Sequence, residues 1–213
     1  MAQLYGCQIV FLLMLLNHIL LGIAWSLYCV LHSLLASVRI KKAMQHKTGS
    51  WFRYYRLFYT LFAFLSLAAV IFFQFSIQTV RVFTTTTATL VAGGFVAFAG
   101  LSIMLVCIKK YFLSLSGLKS LYQEEPSAEL MIAGIHRYVR HPLYTGTFLF
   151  IWGLWITFPS LGLLIADTVI TIYTLYAIRL EEHKLVAEFG EKYREYQAKV
   201  PKLIPKLSVG RLG

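Results

Sequence analysis

Charged residues are scarce in this sequence, and acidic ones most of all. Only 14% of the 213 residues are charged, with nine Asp or Glu against 20 Lys or Arg. Soluble globular proteins have roughly a quarter of their residues charged. Together with a hydrophobic fraction of 58%, this shortage excludes a protein that lives mainly in water and predicts an integral membrane protein.

Cysteine is scarce too. Cys7, Cys29 and Cys107 each lie in or beside an apolar run, and no two of them have the paired spacing of a zinc site or a disulfide framework. We therefore expect them to serve in packing, and we predict no metal site.

A basic n-region and a small-residue cleavage site are also missing before Ile9. The first apolar run is thus expected to be a membrane span rather than a cleaved signal peptide.

Apolar runs recur along most of the chain, at lengths near the roughly 20 residues that a helix needs to cross a bilayer. Pro159 separates the last two, because proline breaks the helical hydrogen-bond ladder. The sequence predicts an all-α fold, a single membrane domain over 1–213 with five transmembrane helices. The predicted spans are 9–31, 57–75, 88–108, 143–158 and 161–178.

Positive charge is distributed unevenly along the chain. All but one of the 20 Lys and Arg fall within 39–56, 109–140 and 179–213, and the exception is Arg81. Five spans place these three segments on one side of the membrane, and the positive-inside rule then puts the N-terminus outside and the C-terminus in the cytoplasm. Anionic lipid headgroups are the expected partner of this charge. We expect no nucleic-acid partner, because the basic residues flank spans instead of forming one stripe.

The pattern changes after residue 178. Apolar residues recur among charged ones at helical spacing, at Leu185, Phe189, Tyr193 and Tyr196. Such a pattern predicts an amphipathic helix over 179–199, lying along the membrane interface or covering the cytoplasmic mouth of the bundle. Pro201 and Pro205 are expected to end it.

Two polar segments border the last two spans and are candidates for chemistry. The first is the basic loop 134–146, in which Pro142 fits the first position of a helix, where its missing N–H costs nothing. The second is the pair Glu181 and Glu182, which is costly so close to a bilayer unless it binds a cation or a donor-rich group. Both lie at the cytoplasmic end of the last two spans. They would face one another across a single pocket.

Each segment also has a plainer interpretation. The loop would serve as an anchor for lipid headgroups, and the acids would pair with Arg179 or Lys184. Helical spacing places Asp167, Thr171 and Thr174 close to one stripe with Glu181, which we expect to face the bundle interior. The residues alone leave the two interpretations open.

The order of these motifs resembles the isoprenylcysteine carboxyl methyltransferase and phospholipid methyltransferase superfamily. The resemblance covers about 128–205 and rests on His-Pro-Leu-Tyr-Thr-Gly at 141–146, then Glu181, Glu182, Phe189, Gly190, Tyr193, Tyr196, Val200 and Pro201. In the N-terminal half, the segments 32–37, 54–56 and 116–119 resemble bacterial methanethiol methyltransferases and NnrU-like membrane proteins.

What the resemblance implies is a methyltransferase that uses S-adenosylmethionine, bound in a cytoplasmic pocket. The acceptor would be lipophilic or small and apolar, an isoprenylcysteine-like carboxylate or a thiol. The implied cofactor-binding residues are Glu129, Leu130, Met131, His136, His141, Pro142, Tyr144, Gly146 and Glu181. The candidate catalytic residues are Arg140, Arg179 and Glu182. Transfer from a sulfonium chiefly needs positioning and exclusion of water, so neither a metal nor a nucleophilic triad is required.

The sequence departs from the carboxyl methyltransferases at two positions. His136 stands where they carry a tyrosine, and Ala177 stands where they carry a substrate-binding arginine, with Arg179 the nearest alternative. The second departure weakens the case for a prenylcysteine carboxylate.

Two other classes of function compete with an enzyme. His18 and His32 are 14 residues apart on the first predicted span and share a helical face. They would suit a haem- or metal-binding protein of redox or denitrification function. The other class is a membrane scaffold that kept the fold without catalysis, against which the presence of His141, Tyr144 and Glu181 counts.

Overall fold

The structure, a computed structural model, describes residues 2–115, 130 and 132–206. The regular elements within these ranges are helices, which confirms the predicted all-α class. Short 3-10 turns lie at Gly49–Trp51 and Gly134–Arg137. The α-helices in chain order are α1 Ala2–Ala36, α2 Val38–Thr48, α3 Phe52–Ser76, α4 Thr87–Leu115, α5 Pro142–Thr157, α6 Leu161–Phe189 and α7 Glu191–Lys199.

Four of the described helices are long and apolar enough to cross a membrane. Their apolar segments are Gln8–Ala36, Leu57–Ser76, Thr87–Lys109 and Leu161–Phe189, and they contain the first, second, third and fifth predicted spans. The fourth predicted span, 143–158, forms α5. Its 16 residues rise only about 24 Å, less than the ~30 Å hydrocarbon core. The structure therefore supports an integral membrane protein with four full-length spans.

The loop between α3 and α4 meets the turn between α5 and α6, as the charge distribution predicted. The backbone N–H of Val82 donates to the carbonyl of Pro159 at 2.7 Å, and that of Leu161 donates to the carbonyl of Val80 at 2.9 Å. The Ser160 hydroxyl accepts from the N–H of Leu163 and caps α6. These contacts fix one end of the bundle, so the loop before α5 and the C-terminal part of α6 lie at the opposite end.

Small residues let α4 and α5 touch backbone to backbone. A Cβ atom at Gly100 would lie 2.4 Å from the backbone nitrogen of Phe150, and one at Gly153 would lie 2.4 Å from that of Ala97. Glycine is enriched where membrane helices approach this closely. Contact with α4 therefore holds the short helix α5 in place.

We expect Gly100→Ala to lower the free energy of unfolding by about 1–3 kcal/mol, because the added methyl meets the α5 backbone and forces the helices apart. The measurement is the thermal unfolding midpoint of the purified protein in detergent. Gly94→Ala is the matched control, since a Cβ at Gly94 meets nothing within 4 Å. Equal midpoints for the two variants would contradict this account of the α4–α5 contact.

The core between α1, α3 and α6 combines apolar packing with buried polar groups. Leu21, Trp25 and Ala166 form a buried cluster, and the indole N–H of Trp25 donates to the side-chain oxygen of Gln74 at 2.7 Å. On α6 the predicted polar stripe faces inward at Asp167, Thr171 and Thr174, whereas its last member, Glu181, is exposed. Asp167 and Thr174 are buried, and Thr171 accepts a hydrogen bond from the Trp152 indole at 3.1 Å.

The C-terminal amphipathic region differs from the prediction. Helix α6 does not end at residue 178 but continues to Phe189, so the helix predicted over 179–199 is divided in two. The division falls at Gly190, whose φ of 55° is a conformation that favours glycine. Its N–H donates to the carbonyl of Val186 and closes α6. The apolar spacing continues across this break, which is why the sequence pattern indicated a single helix.

Candidate functional site

A cavity opens at the end of the bundle opposite the α5–α6 turn. Its volume is about 180 Å³, or about 520 Å³ when its open side is included. The lining side chains come from the loop before α5 and from α6 and α7: Leu130, His136, Arg140, His141, Glu181, Leu185, Phe189, Tyr193 and Tyr196. The two polar segments that the sequence singled out thus meet at one cavity.

Aromatic and apolar residues of α6 and α7 form one wall of this cavity. Tyr193 and Tyr196 are buried and pack with Leu130 and Phe189. The Tyr196 hydroxyl donates to the carbonyl of His136 at 2.6 Å. Burial raises the pKa of Tyr193 to about 12, so its hydroxyl stays neutral at physiological pH. The apolar side of the predicted amphipathic helix therefore faces the cavity.

His141 lies between the two glutamates. It precedes the first residue of α5, Pro142, and is only 6% exposed. Its Nδ1 lies 3.7 Å from Oε2 of Glu181, and its Nε2 lies 3.3 Å from Oε1 of Glu182. The Tyr144 ring stacks on the His141 ring with 5.7 Å between centroids, and burial, helped by the nearby Glu181 carboxylate, raises the pKa of the Tyr144 hydroxyl. The Glu181 side chain stays 46% exposed, so it presents negative charge to the cavity.

Arg140 and Glu182 form a buried ion pair beside the cavity. The guanidinium Nε and Nη2 lie 2.8 and 2.7 Å from Oε1 of Glu182, and each side chain is 9% exposed. The Arg140 Nη1 donates to the carbonyls of Gln197 and Val200. The other carboxylate oxygen, Oε2, lies 2.9 Å from Nζ of Lys202. Because both oxygens of Glu182 have partners within the protein, this geometry favours positioning over contact with a substrate.

Residues 200–203, which we call the C-terminal strap, cross the loop before α5. The backbone N–H groups of Arg140 and His141 donate to the carbonyls of Pro201 and Lys202 at 2.9 and 3.1 Å. The Thr145 hydroxyl donates to the carbonyl of Leu203 at 2.8 Å. The signal for the strap in the sequence is proline, since Pro201 and Pro205 are predicted to end the helix. In the structure the strap is hydrogen-bonded to the loop and to the first turn of α5, and it holds the loop in place.

The remaining predicted site residues are placed differently. Arg179 is exposed on α6 and does not line the cavity. Gly146 packs against α4, where a Cβ would lie 2.9 Å from the carbonyl oxygen of Gly100. Pro142 is buried at the first position of α5, as its residue type predicted. Glu129 and Met131 lie outside the described residues.

The two intramembrane histidines have separate partners. His18 Nε2 lies 3.1 Å from the hydroxyl of Thr79, and His32 Nδ1 lies 3.1 Å from the hydroxyl of Tyr59. Within the described ranges, no group of three or more His, Cys, Asp or Glu is placed to hold a metal ion. The haem or metal hypothesis therefore has no observation in its favour.

Comparison with known proteins confirms the family resemblance. Residues 93–192 match the model of the phospholipid methyltransferase family, and this segment contains α5, α6 and both polar segments. No solved structure matches the chain.

Curated relatives are similar over part of the chain. The methanethiol S-methyltransferase of Crocosphaera subtropica is 42% identical over 96 residues, 43% of this chain and 37% of the relative. That of Pseudomonas deceptionensis is 44% identical over 75 residues, 34% and 27% of the two chains. The protein-S-isoprenylcysteine O-methyltransferase of Schizosaccharomyces pombe is 36% identical over 77 residues, 36% and 33%. The matches thus cover between 27% and 37% of these relatives' lengths.

Proposed function

We infer that this chain is an integral membrane methyltransferase that uses S-adenosylmethionine and methylates a small or lipophilic acceptor. The observation that carries this inference is the placement of His141 and Glu181 in the wall of one cavity at the end of the bundle, with Tyr144 stacked on His141. The match of 93–192 to the phospholipid methyltransferase family and the names of the curated relatives support it.

The residues of the cavity fit the cofactor. S-adenosylmethionine carries a sulfonium and an ammonium group, and Glu181 offers them a carboxylate at the cavity wall. The rings of Tyr193 and Tyr196 provide aromatic faces, which attract cations. The enclosed volume of about 180 Å³ is below the ~300–1,000 Å³ of typical ligand sites, so the cofactor would extend through the open side of the cavity. When bound, the cofactor supplies an activated methyl group.

The proposed roles follow from the contacts of each side chain. Glu181 binds the cofactor's polar groups, and His141 and Tyr144 orient it from the α5 side. Leu130 packs against it, and His136 belongs to the same site. The Arg140–Glu182 pair and the C-terminal strap fix His141 and exclude water from it. Positioning and exclusion of water are the main needs of an in-line methyl transfer.

We further propose that α5 crosses the membrane beside α4 and gives a five-span bundle. Its last residues reach the turn that contacts the α3–α4 loop, and its first residues lie at the cavity. All but one of the Lys and Arg lie in 39–56, 109–140 and 179–213, the segments that five spans would place on one side of the membrane. The positive-inside rule then puts the cavity and the C-terminus in the cytoplasm and the N-terminus outside.

A small thiol is the acceptor that the residues support best. The position of the substrate arginine in carboxyl methyltransferases is Ala177 here, and Arg179 is exposed away from the cavity. Several of the similar proteins are named methanethiol S-methyltransferases. A carboxylate acceptor would need a cation that this site does not place in the cavity at that position.

The test of this function is methyl transfer from S-adenosylmethionine labelled in its methyl group. Membranes containing the chain, given a small alkyl thiol, are expected to release the label as a volatile thioether. Label in the lipid extract or on protein would keep the methyltransferase and replace the thiol by another acceptor. Absence of transfer to thiol, lipid and protein by a folded chain that binds the cofactor would favour the scaffold hypothesis.

A further inference from the structure

The hydroxyl of Tyr193 is a buried donor in the wall of the cavity. Tyr193 lies near the start of α7, is 1% exposed and lines the cavity. Within the part of the chain that the structure describes, no group forms a hydrogen bond with its hydroxyl. The other buried side-chain atoms of this kind, Nε1 of Trp155 and Oδ2 of Asp167, belong to residues that do not line the cavity. A ligand in this cavity can therefore supply the partner that the Tyr193 hydroxyl lacks.

The neighbouring tyrosine in the same wall has a paired hydroxyl. The rings of Tyr193 and Tyr196 lie side by side with 5.8 Å between centroids, and both side chains are buried. The Tyr196 hydroxyl donates to the carbonyl of His136 at 2.6 Å. Leaving a buried donor without an acceptor is costly, and a phenylalanine would fill the same space without that cost. Packing alone thus explains the ring of Tyr193 but not its hydroxyl.

Arg140 lines the same cavity and cannot accept the phenol proton. Burial raises the pKa of Tyr193, and the positive charge of Arg140 opposes this effect, but a guanidinium has only donors. Four of its contacts go to Glu182 and to the carbonyls of Gln197 and Val200. At most one of its five N–H groups is left for a ligand. The wall therefore offers a phenol donor beside a cation that is largely occupied.

A carboxylate is the acceptor that fits this donor best. Anionic oxygens accept stronger hydrogen bonds than neutral ones do, and the charge of Arg140 favours an anion at this part of the wall. In S-adenosylmethionine the α-amino acid end carries a carboxylate and an ammonium group on one carbon. Glu181 lines the same cavity and suits the ammonium. The two charges of the amino acid end thus have different partners in one wall.

We propose that the Tyr193 hydroxyl donates a hydrogen bond to the carboxylate of S-adenosylmethionine and so selects cofactors with an intact α-amino acid end. This rests on the proposed function. A donor that is kept for a ligand lowers the stability of the protein alone. The hydroxyl of Tyr193 is therefore expected to affect affinity and stability in opposite directions, which a merely structural group does not do.

The experiment measures by calorimetry the affinities of S-adenosylmethionine and of its decarboxylated analogue for the parent protein and for Tyr193→Phe. The analogue keeps the sulfonium, the ammonium and the adenosine. Tyr193→Phe is expected to weaken binding of S-adenosylmethionine at least tenfold, about 1.4 kcal/mol, because a hydrogen bond to a charged group is lost. The analogue is expected to bind the parent and the variant equally, since it has no carboxylate. Equal losses for the two ligands would overturn the proposal.

Thermal unfolding without ligand gives the second readout. Tyr193→Phe is expected to keep or raise the unfolding midpoint, because it removes a buried hydroxyl that has no partner among the described residues. Tyr196→Phe is the matched comparison and is expected to lower the midpoint, because it breaks the hydrogen bond to the His136 carbonyl. A Tyr193→Phe protein that loses as much stability as Tyr196→Phe, or that fails to fold, would show that the hydroxyl has a partner within the protein and would overturn the proposal.

The proposal and the proposed function fail in different ways. If Tyr193→Phe binds S-adenosylmethionine as tightly as the parent does, the role of the hydroxyl is overturned and the methyltransferase is kept. A folded parent that binds no S-adenosylmethionine removes the proposed function itself, and this proposal with it.

Discussion

Arg140→Met is expected to lower the free energy of unfolding by about 3–5 kcal/mol and to abolish cofactor binding. The substitution removes the guanidinium partner of Oε1 of Glu182. In the parent protein the side chains of Arg140 and Glu182 are each only 9% exposed. Removing one member of a buried ion pair is costly because the other charge stays buried. The carbonyls of Gln197 and Val200 lose their donor as well, so the C-terminal strap loosens. Thermal unfolding in detergent measures the first effect, and calorimetry with S-adenosylmethionine measures the second.

Two further variants test whether the effect of Arg140→Met comes from the loss of the buried ion pair. Arg194→Met removes the same side chain from an exposed pair with Glu191, in which the side chains are 63% and 79% exposed, and such pairs contribute little. Adding Glu182→Leu to Arg140→Met removes the stranded charge, so the double variant is expected to be more stable than Arg140→Met alone. An unfolding midpoint for Arg140→Met equal to that of Arg194→Met would show that the buried pair does not organise the site.

Glu181→Gln is expected to weaken S-adenosylmethionine binding at least tenfold, about 1.4 kcal/mol, with little change in stability. The carboxylate lies on the cavity wall and is 46% exposed, so it contributes charge for the cofactor more than it contributes packing. Glutamine keeps the shape of the side chain and removes the charge. Isothermal titration calorimetry gives the affinity directly.

The control for this prediction lies on the same helix. Glu188→Gln changes an exposed carboxylate of α6 that does not line the cavity, and the cofactor affinity is expected to match that of the parent. Equal affinities for Glu181→Gln and the parent would remove Glu181 from the cofactor site, whatever the activity of the chain.

The membrane part of the fold could be predicted because its causes are local in the sequence. Apolar runs of the right length gave the helices at 57–75 and 88–108, and Pro159 gave the turn between α5 and α6. The unequal distribution of Lys and Arg grouped the loops by side, and in the structure a backbone hydrogen bond from Val82 to Pro159 joins two loops of one such group. The meeting of the loop 134–146 with Glu181 and Glu182 followed from placing both at the same end of two adjacent helices.

Other features depend on contacts that periodicity does not reveal. Gly190 breaks the helix at one residue while the apolar spacing continues on both sides, so a single helix over 179–199 was the wrong prediction. The sequence does not show which of two adjacent glutamates has an exposed carboxylate and which has a buried one. Only the geometry separates Glu182, held by Arg140 and Lys202, from the cavity-facing Glu181.

The surroundings of His32 show the same limit. The spacing of His18 and His32 predicts a shared helical face, and two histidines on one face are typical of a haem or metal site. The structure gives the two histidines partners at different depths, Thr79 and Tyr59. Tyr59 lies on α3, so its contact with His32 on α1 is a consequence of helix packing that no local pattern in the sequence predicts.

The most direct test of the central claim is calorimetric titration of the purified parent protein with S-adenosylmethionine in the absence of acceptor. We predict saturable binding at a single site, which Glu181→Gln weakens at least tenfold and Glu188→Gln leaves unchanged. A parent protein that unfolds cooperatively on heating, and is therefore folded, but gives no binding heat over a range of temperatures would contradict the assignment of the cavity as a cofactor site.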